Sequence, residues 1–223
     1  VVFGLLIAAG VAAGLAVAGQ FVLAGRAKRH ARRIERALAA RPRTWIQEAR
    51  GRVRVTGHVR RDAAVLRAPL SGRPCVVYEF IVEDLSAGSS LPQRWIDVRQ
   101  VCPFLLEDDS GTARIDTSGA GFVALVHDHS GVTSGLYPGA HLDLGELLES
   151  WGFEPATWFG RWKPIRYAEG VLEPGELVSV GGAGVQEVDQ GGDSASARSM
   201  PRRLVMRGSD AEPLLMSRAR DER

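Results

Sequence analysis

The sequence predicts a mainly β, α+β protein: an antiparallel β-barrel or sandwich-like domain with small helices, preceded by one N-terminal transmembrane helix. Three observations predict it. Residues 1–25 carry no charge and a single strongly polar side chain, Gln20. From Gly51 onward the apolar residues recur with period two, the signature of half-buried strands. Strand-like runs outnumber helical ones, and Gly- and Pro-bearing turns separate them.

About 20 apolar residues at 1.5 Å rise cross the ~30 Å hydrocarbon layer, so residues 1–25 fit one span. A core helix keeps a polar face, and this segment has none. A signal peptide has a shorter apolar region, about 7–15 residues, and then a cleavage site of small residues. The exit here is instead densely basic. Residues 26–43 hold Arg26, Lys28, Arg29, Arg32, Arg33, Arg36, Arg41 and Arg43 against Glu35 alone, a net +7. The whole chain carries +2, which leaves −5 for the remainder and argues against nucleic acid as a partner.

Lys and Arg beside a span stay on the cytoplasmic side, so the chain is expected to be a single-pass membrane protein with its C-terminal domain facing the cytoplasm. Arg26, Lys28, Arg29, Arg32, Arg33 and Arg36 are the expected membrane contacts, each adding about 1 kcal/mol of attraction to anionic headgroups. Arg far outnumbers Lys, beside abundant Ala and Gly, the usage of a GC-rich genome. That favours a prokaryotic cell membrane; in a eukaryote the expectation is an organelle membrane. Gly10 and Gly14 form G-x-x-x-G, with Ala18 one turn on, a face through which two such helices can pack into a homo-oligomer.

The helix is expected to continue as a basic juxtamembrane segment over residues 26–43, with Ile34 and Leu38 one turn apart on a polar rod, until Arg41-Pro42 stops it. Thr44–Gln47 has the T-x-x-Q form of a capping box and predicts a short helix near the headgroups. Trp45 suits either an interfacial position or a core.

Residues 44–216 form the predicted β-rich domain. In "RVRVTGHVR", Val53, Val55, Gly57 and Val59 share the inner face, and Arg52, Arg54, Thr56, His58 and Arg60 the outer one. "LRAPLSGRP" is turn punctuation. "CVVYEFIVED" has apolar Val76, Tyr78, Phe80 and Val82 on one face and a mixed face opposite, as in a central strand. "WIDVRQVCPFLLEDDSGTARID" reads as strands around a Ser-Gly turn, with Glu107-Asp108-Asp109 as solvated turn charges, and "GFVALVHDH" as one further strand. "LDLGELLESWG" places Leu144, Leu147 and Leu148 on helical spacing, stopped by Gly152. "IRYAEGVLEPGELVSVGGAGV" makes two strands across Glu173–Gly175, with "GGAG" at 181–184 read as a plain turn. Residues 186–200 are Gly/Ser-rich and aperiodic, the composition of a flexible loop. "RRLVMRG" and "EPLLMS" read as a closing hairpin, and residues 217–223 as a charged tail.

Chemistry-bearing residues are sparse. Cys75 and Cys102 are the only cysteines, which excludes a disulfide scaffold; free thiols are the default, with one long-range disulfide left open. Cys75 reads as a small core residue. His127 and His129 stand two apart on the expected strand and are the candidate metal ligands of a metal-dependent hydrolase. A third ligand from His141, Cys102 or a carboxylate lacks diagnostic spacing, and surface histidines explain the pair more simply. No nucleophile elbow, H-E-x-x-H, phosphate-binding loop or Cys-x-x-Cys pair occurs, so no metal, cofactor or catalytic residue is expected.

Three stretches together, "GHVRRDAAVLRAPLSGRPCVVYEFIVED", "CPFLLEDDSGTARID" and "IRYAEGVLEPGELVSVGGAGV", resemble the GIDE-type or beside-a-membrane domain over roughly residues 45–216. In eukaryotes that domain belongs to mitochondrial and chloroplast-envelope E3 ubiquitin ligases, and relatives occur in prokaryotes. The order of a membrane helix followed directly by the domain matches as well. The resemblance implies a membrane-adjacent interaction or regulatory module with a protein partner, or a subunit of a ubiquitin-transferase system. Ubiquitin transfer in the family depends on a RING, which needs about eight Cys/His ligands, and two cysteines do not supply it. No catalytic residue carries over.

Overall fold

The computed structural model describes residues 32–85, 93–118, 122–125, 129–135, 142–154, 162–188, 202–209 and 211–219. Helix α1 covers residues 32–39. Then come β1 (Gly51–Arg61), β2 (Leu66–Arg67), β3 (Pro74–Cys75), β4 (Val77–Asp84), β5 (Gln93–Val101), β6 (Phe104–Asp108) and β7 (Gly111–Asp116). β8 (Phe122–Leu125), β9 (His129–Gly135), helix α2 (Leu142–Ser150), β10 (Trp162–Leu172), β11 (Leu177–Val188), β12 (Arg202–Arg207) and β13 (Leu214–Arg218) follow.

Five strands close into a barrel. β1 pairs β6, β6 pairs β7, β7 lies parallel to β12, β12 pairs β11, and β11 returns to β1. Numbered within the barrel in chain order, the strands run 1-2-3-5-4 around it, with the third and fifth parallel, the Greek-key connectivity of an OB-type barrel. The alternation of β1 explains why it closes: Val53, Val55, Gly57 and Val59 are buried, while Arg52, His58 and Arg60 are exposed. Phe104, Leu106, Ile115, Val178, Val180, Leu204, Met206 and Met216 fill the interior with them.

A second, four-stranded sheet of order β5-β4-β10-β9 is inserted into the barrel's connections. Its apolar face carries Phe80, Val82, Ile96 and Ile165, covered by Leu144 and Leu148 of α2. Phe80 meets Trp151 edge-on at 5.7 Å. α2 stops as its sequence predicts: Gly152 adopts φ +80, its N–H bonds Glu149 O at 2.9 Å, and Phe153 N–H bonds Leu148 O at 2.9 Å, a Schellman motif. Across the opposite face of the sheet run ion pairs of Glu79 with Arg99 and of Glu83 with Arg166. Glu169, 1% exposed, accepts the N–H groups of Leu70 at 2.7 Å and Ser71 at 3.1 Å and so fixes the turn between β2 and β3.

Several expectations need correction. The Gly181–Gly184 run is not a turn but the middle of β11. Its glycines thin the barrel wall on both faces, since a Cβ on Gly182 would lie 2.6 Å from Leu214 Cδ2 and one on Gly181 2.7 Å from Leu38 Cδ2. β12 and β13 share a sheet without forming a hairpin: both pair with β11, at Ala183–Val188 and Val178–Gly181 respectively, because β11 is long enough to hold them end to end. The sheet is antiparallel except at β7–β12 and β8–β13. "GFVALVHDH" is two strands, β8 and β9, in different sheets. Residues 186–188 of the expected loop finish β11, while 189–200 lie outside the described residues. β13 runs to Arg218, and Ala219 N–H bonds Leu177 O at 3.1 Å, so the tail begins later than position 217.

Candidate membrane-facing surface

The amphipathic pattern of α1 decides how the chain enters the domain. Ile34 and Leu38 are buried against Leu215 of β13, and Leu38 also lies over Gly181 of β11. The opposite side of the helix leaves Arg32, Arg33 and Arg36 exposed. Half of the predicted basic collar is therefore a solvated face of a helix whose apolar stripe belongs to the barrel. Arg26, Lys28, Arg29, Gly10, Gly14 and the expected span lie outside the described residues, among which no helix is long and apolar enough to cross a membrane.

A second fastening follows α1. Arg54 N–H bonds Pro42 O at 2.9 Å and Thr44 N–H bonds Arg54 O at 3.0 Å, so the connector pairs along β1. Residues 46–48 form a single turn where a short helix was expected, because Asp108 takes the Ile46 N–H at 3.0 Å and Ser110 Oγ takes the Gln47 N–H at 3.1 Å. Asp108 also accepts Ser110 N–H at 2.8 Å and Gly111 N–H at 3.0 Å. It is thus a structural acceptor rather than the solvated charge its Glu-Asp-Asp setting predicts. Glu107 beside it pairs with Arg60.

This turn borders an open cleft of about 380 Å³ at one end of the barrel, lined by Ile46, Gln47, Arg50, Ser110, Thr112, Gln186, Arg202 and Leu204. Trp45, 52% exposed, stands beside it with Gln47 and Ser110. The indole is exposed, with Glu48 and Asp109 also lining its surroundings, so Trp45 is not the core residue that one of its two readings made it.

No family model matches the chain, and no curated protein or solved structure matches it either. The site therefore stands on its own residues.

The remaining candidates lie only in part among the described residues. His127 and His141 lie outside the described residues, and His129 opens β9. His58 is exposed, with Nδ1 at 3.0 Å from Gly175 O. Among the described residues no three His, Cys, Asp or Glu side chains gather as a metal would need. Cys75 and Cys102 are both buried and free, as core residues. Burial first, then the neighbouring Cys102, Glu169 and Glu173, pushes the Cys75 thiol up to about 11; burial also raises Cys102. At pH 8 only about 0.1% of such a thiol is thiolate. Native protein is therefore expected to leave both cysteines unreacted with a disulfide reagent at pH 8, and to release two equivalents on denaturation. Rapid stoichiometric reaction of the folded chain would contradict this burial.

Sequence reasoning missed Arg41. It reads as one more collar cation, yet it is 7% exposed, its guanidinium lying over Gly181. The glycine run was the available signal, since a strand that spares its side chains is making room for something.

Proposed function

We propose that this protein is a membrane-anchored module of the GIDE or beside-a-membrane type, which holds a β-rich domain at fixed orientation beside the cytoplasmic face of a membrane and binds a protein partner there. The carrying observation is the docking of α1. Ile34 and Leu38 tie the basic helix to the barrel while Arg32, Arg33 and Arg36 stay exposed, so the cations and the barrel move as one piece. A flexible linker would have let the domain tumble; a docked helix presents one side of it to the bilayer. The apolar stretch before Arg26 supports the anchor, and the excess of negative charge outside residues 26–43 supports a protein partner over nucleic acid.

Proximity crosslinking from the membrane-bound chain tests the reading: a reproducible protein neighbour is expected, and neighbours that are lipid alone would end it. Trp45 checks the orientation. In bilayers containing brominated phospholipid its fluorescence is expected to be quenched, with Trp45→Phe removing the largest share of the effect among the five tryptophans. Quenching left unchanged by that substitution places Trp45 away from the bilayer.

A further inference from the structure

The outer wall of the barrel beside the end of α1 holds three guanidinium groups and one carboxylate. Arg52 and Arg54 stand two apart on the outward face of β1, where Arg54 is paired in register with Gly181 of β11. Arg41 reaches the same face, because the bare Gly181 leaves room for it: a Cβ there would sit 2.6 Å from Arg41 Nη1 and 3.1 Å from Arg41 Cδ. Arg52 bonds Glu212 at 3.0 Å, and Glu212 is the acid acting on Arg41 through its charge. Arg41 Nε and Nη1 and Arg54 Nε are buried with no hydrogen-bond acceptor.

A buried donor without an acceptor is costly, and a guanidinium never sheds its proton to escape that cost. Burial, with Arg52 adding to it, lowers the affinity of Arg41 for its proton, and the charge of Glu212 offsets this only in part. The group is thus electrostatically incomplete, with an excess of two positive charges on donors whose fork geometry matches the oxygens of a phosphate. A protein holding such a residue in place by a glycine in the facing strand has made a seat for it.

We propose that Arg41, Arg52 and Arg54 form a binding site for one phosphate-type oxyanion on the outer wall of the barrel. At a membrane surface the same chemistry is offered by a phospholipid headgroup and by free phosphate. The headgroup alternative rests on the membrane-surface reading above; the free-anion alternative does not.

The test uses the full chain in phosphatidylcholine nanodiscs, with thermal unfolding measured in phosphate-free buffer, with saturating inorganic phosphate, and with phosphatidic acid in the disc. A bound anion is expected to raise Tm by about 5–10 °C. Arg41→Met is expected to start above the wild type without anion, because it removes an unpaired buried charge, and to lose the gain. Arg54→Gln is expected to shrink the gain and supplies the answer if Arg41→Met does not fold. Arg61→Gln, at an exposed position at the far end of β1 from Arg52, is expected to keep it. A gain with inorganic phosphate assigns a soluble anion, and a gain with phosphatidic acid alone assigns a headgroup. No gain in either arm, or an equal gain in wild type and the Arg41 and Arg54 variants, overturns the site. Absence of a protein partner in crosslinking would end the module reading and leave this result untouched.

Discussion

Replacing Gly57 with alanine is expected to destabilise the domain by about 3 kcal/mol, more than the usual cost of a single added methyl group. Gly57 sits on the inward face of β1, one residue before the point where the strand acquires neighbours on both edges, His58 pairing Leu177 of β11 and Glu107 of β6. A Cβ there would lie 2.4 Å from the carbonyl oxygen of Glu107 and 2.8 Å from its carbon. Those atoms are backbone and cannot rotate aside, so β1 and β6 must separate where the barrel closes. Urea unfolding of the full chain is expected to show a midpoint lower by about 1–2 M with an unchanged slope. Thr56→Ser, next along the strand on the outward face, keeps the hydroxyl that meets Ser179 Oγ at 2.7 Å and is expected to stay within about 0.5 kcal/mol of the parent. A Gly57→Ala midpoint equal to that of the parent would mean that the barrel does not close at this position.

The strand containing Gly57 was legible because burial of one face writes itself into the sequence with period two, and Val53 to Val59 show that period without a break. The stop of α2 at Gly152 and the β10–β11 turn, where Gly175 takes φ +96, were legible for a similar reason: each is a local backbone requirement met by a local residue. What was hidden depended on distant contacts. Gly181, Gly182 and Gly184 have the composition of a turn, and only Leu38, Arg41, Leu204 and Leu214, far away in the chain, turn them into a strand that others lean on. Asp108 looked solvated because its partners, the N–H groups of Ile46 and of Ser110 and Gly111, are backbone groups that no side-chain pattern announces. Arg41 looked like its exposed neighbours Arg36 and Arg43 for the same reason. The second sheet could be read as strands but not as a separate layer, since β4 and β10 reach it from different connections of the barrel.

Leu38→Lys is expected to release α1 from the barrel, at a cost above about 3 kcal/mol to the docked state. Leu38 is 3% exposed, packed with Ile34 and Leu215 and lying over Gly181, so an ammonium there would be buried among apolar groups beside the Arg41 guanidinium, a second like charge with no acceptor to meet it. Undocking is the less costly response, and it also frees Arg41, which follows on the same turn. Amide exchange is expected to accelerate across residues 32–41 while β1 and β11 stay protected. Ala37→Lys, one residue away on the exposed side, is expected to leave exchange unchanged. This pair separates two ways in which a basic helix can serve a membrane-bound domain. If Leu38→Lys abolishes the partner crosslink while the chain stays in the membrane fraction, orientation set by the docked helix is what the partner requires. If the crosslink survives undocking, α1 is a tether, and the cations on it act by attraction to the bilayer alone.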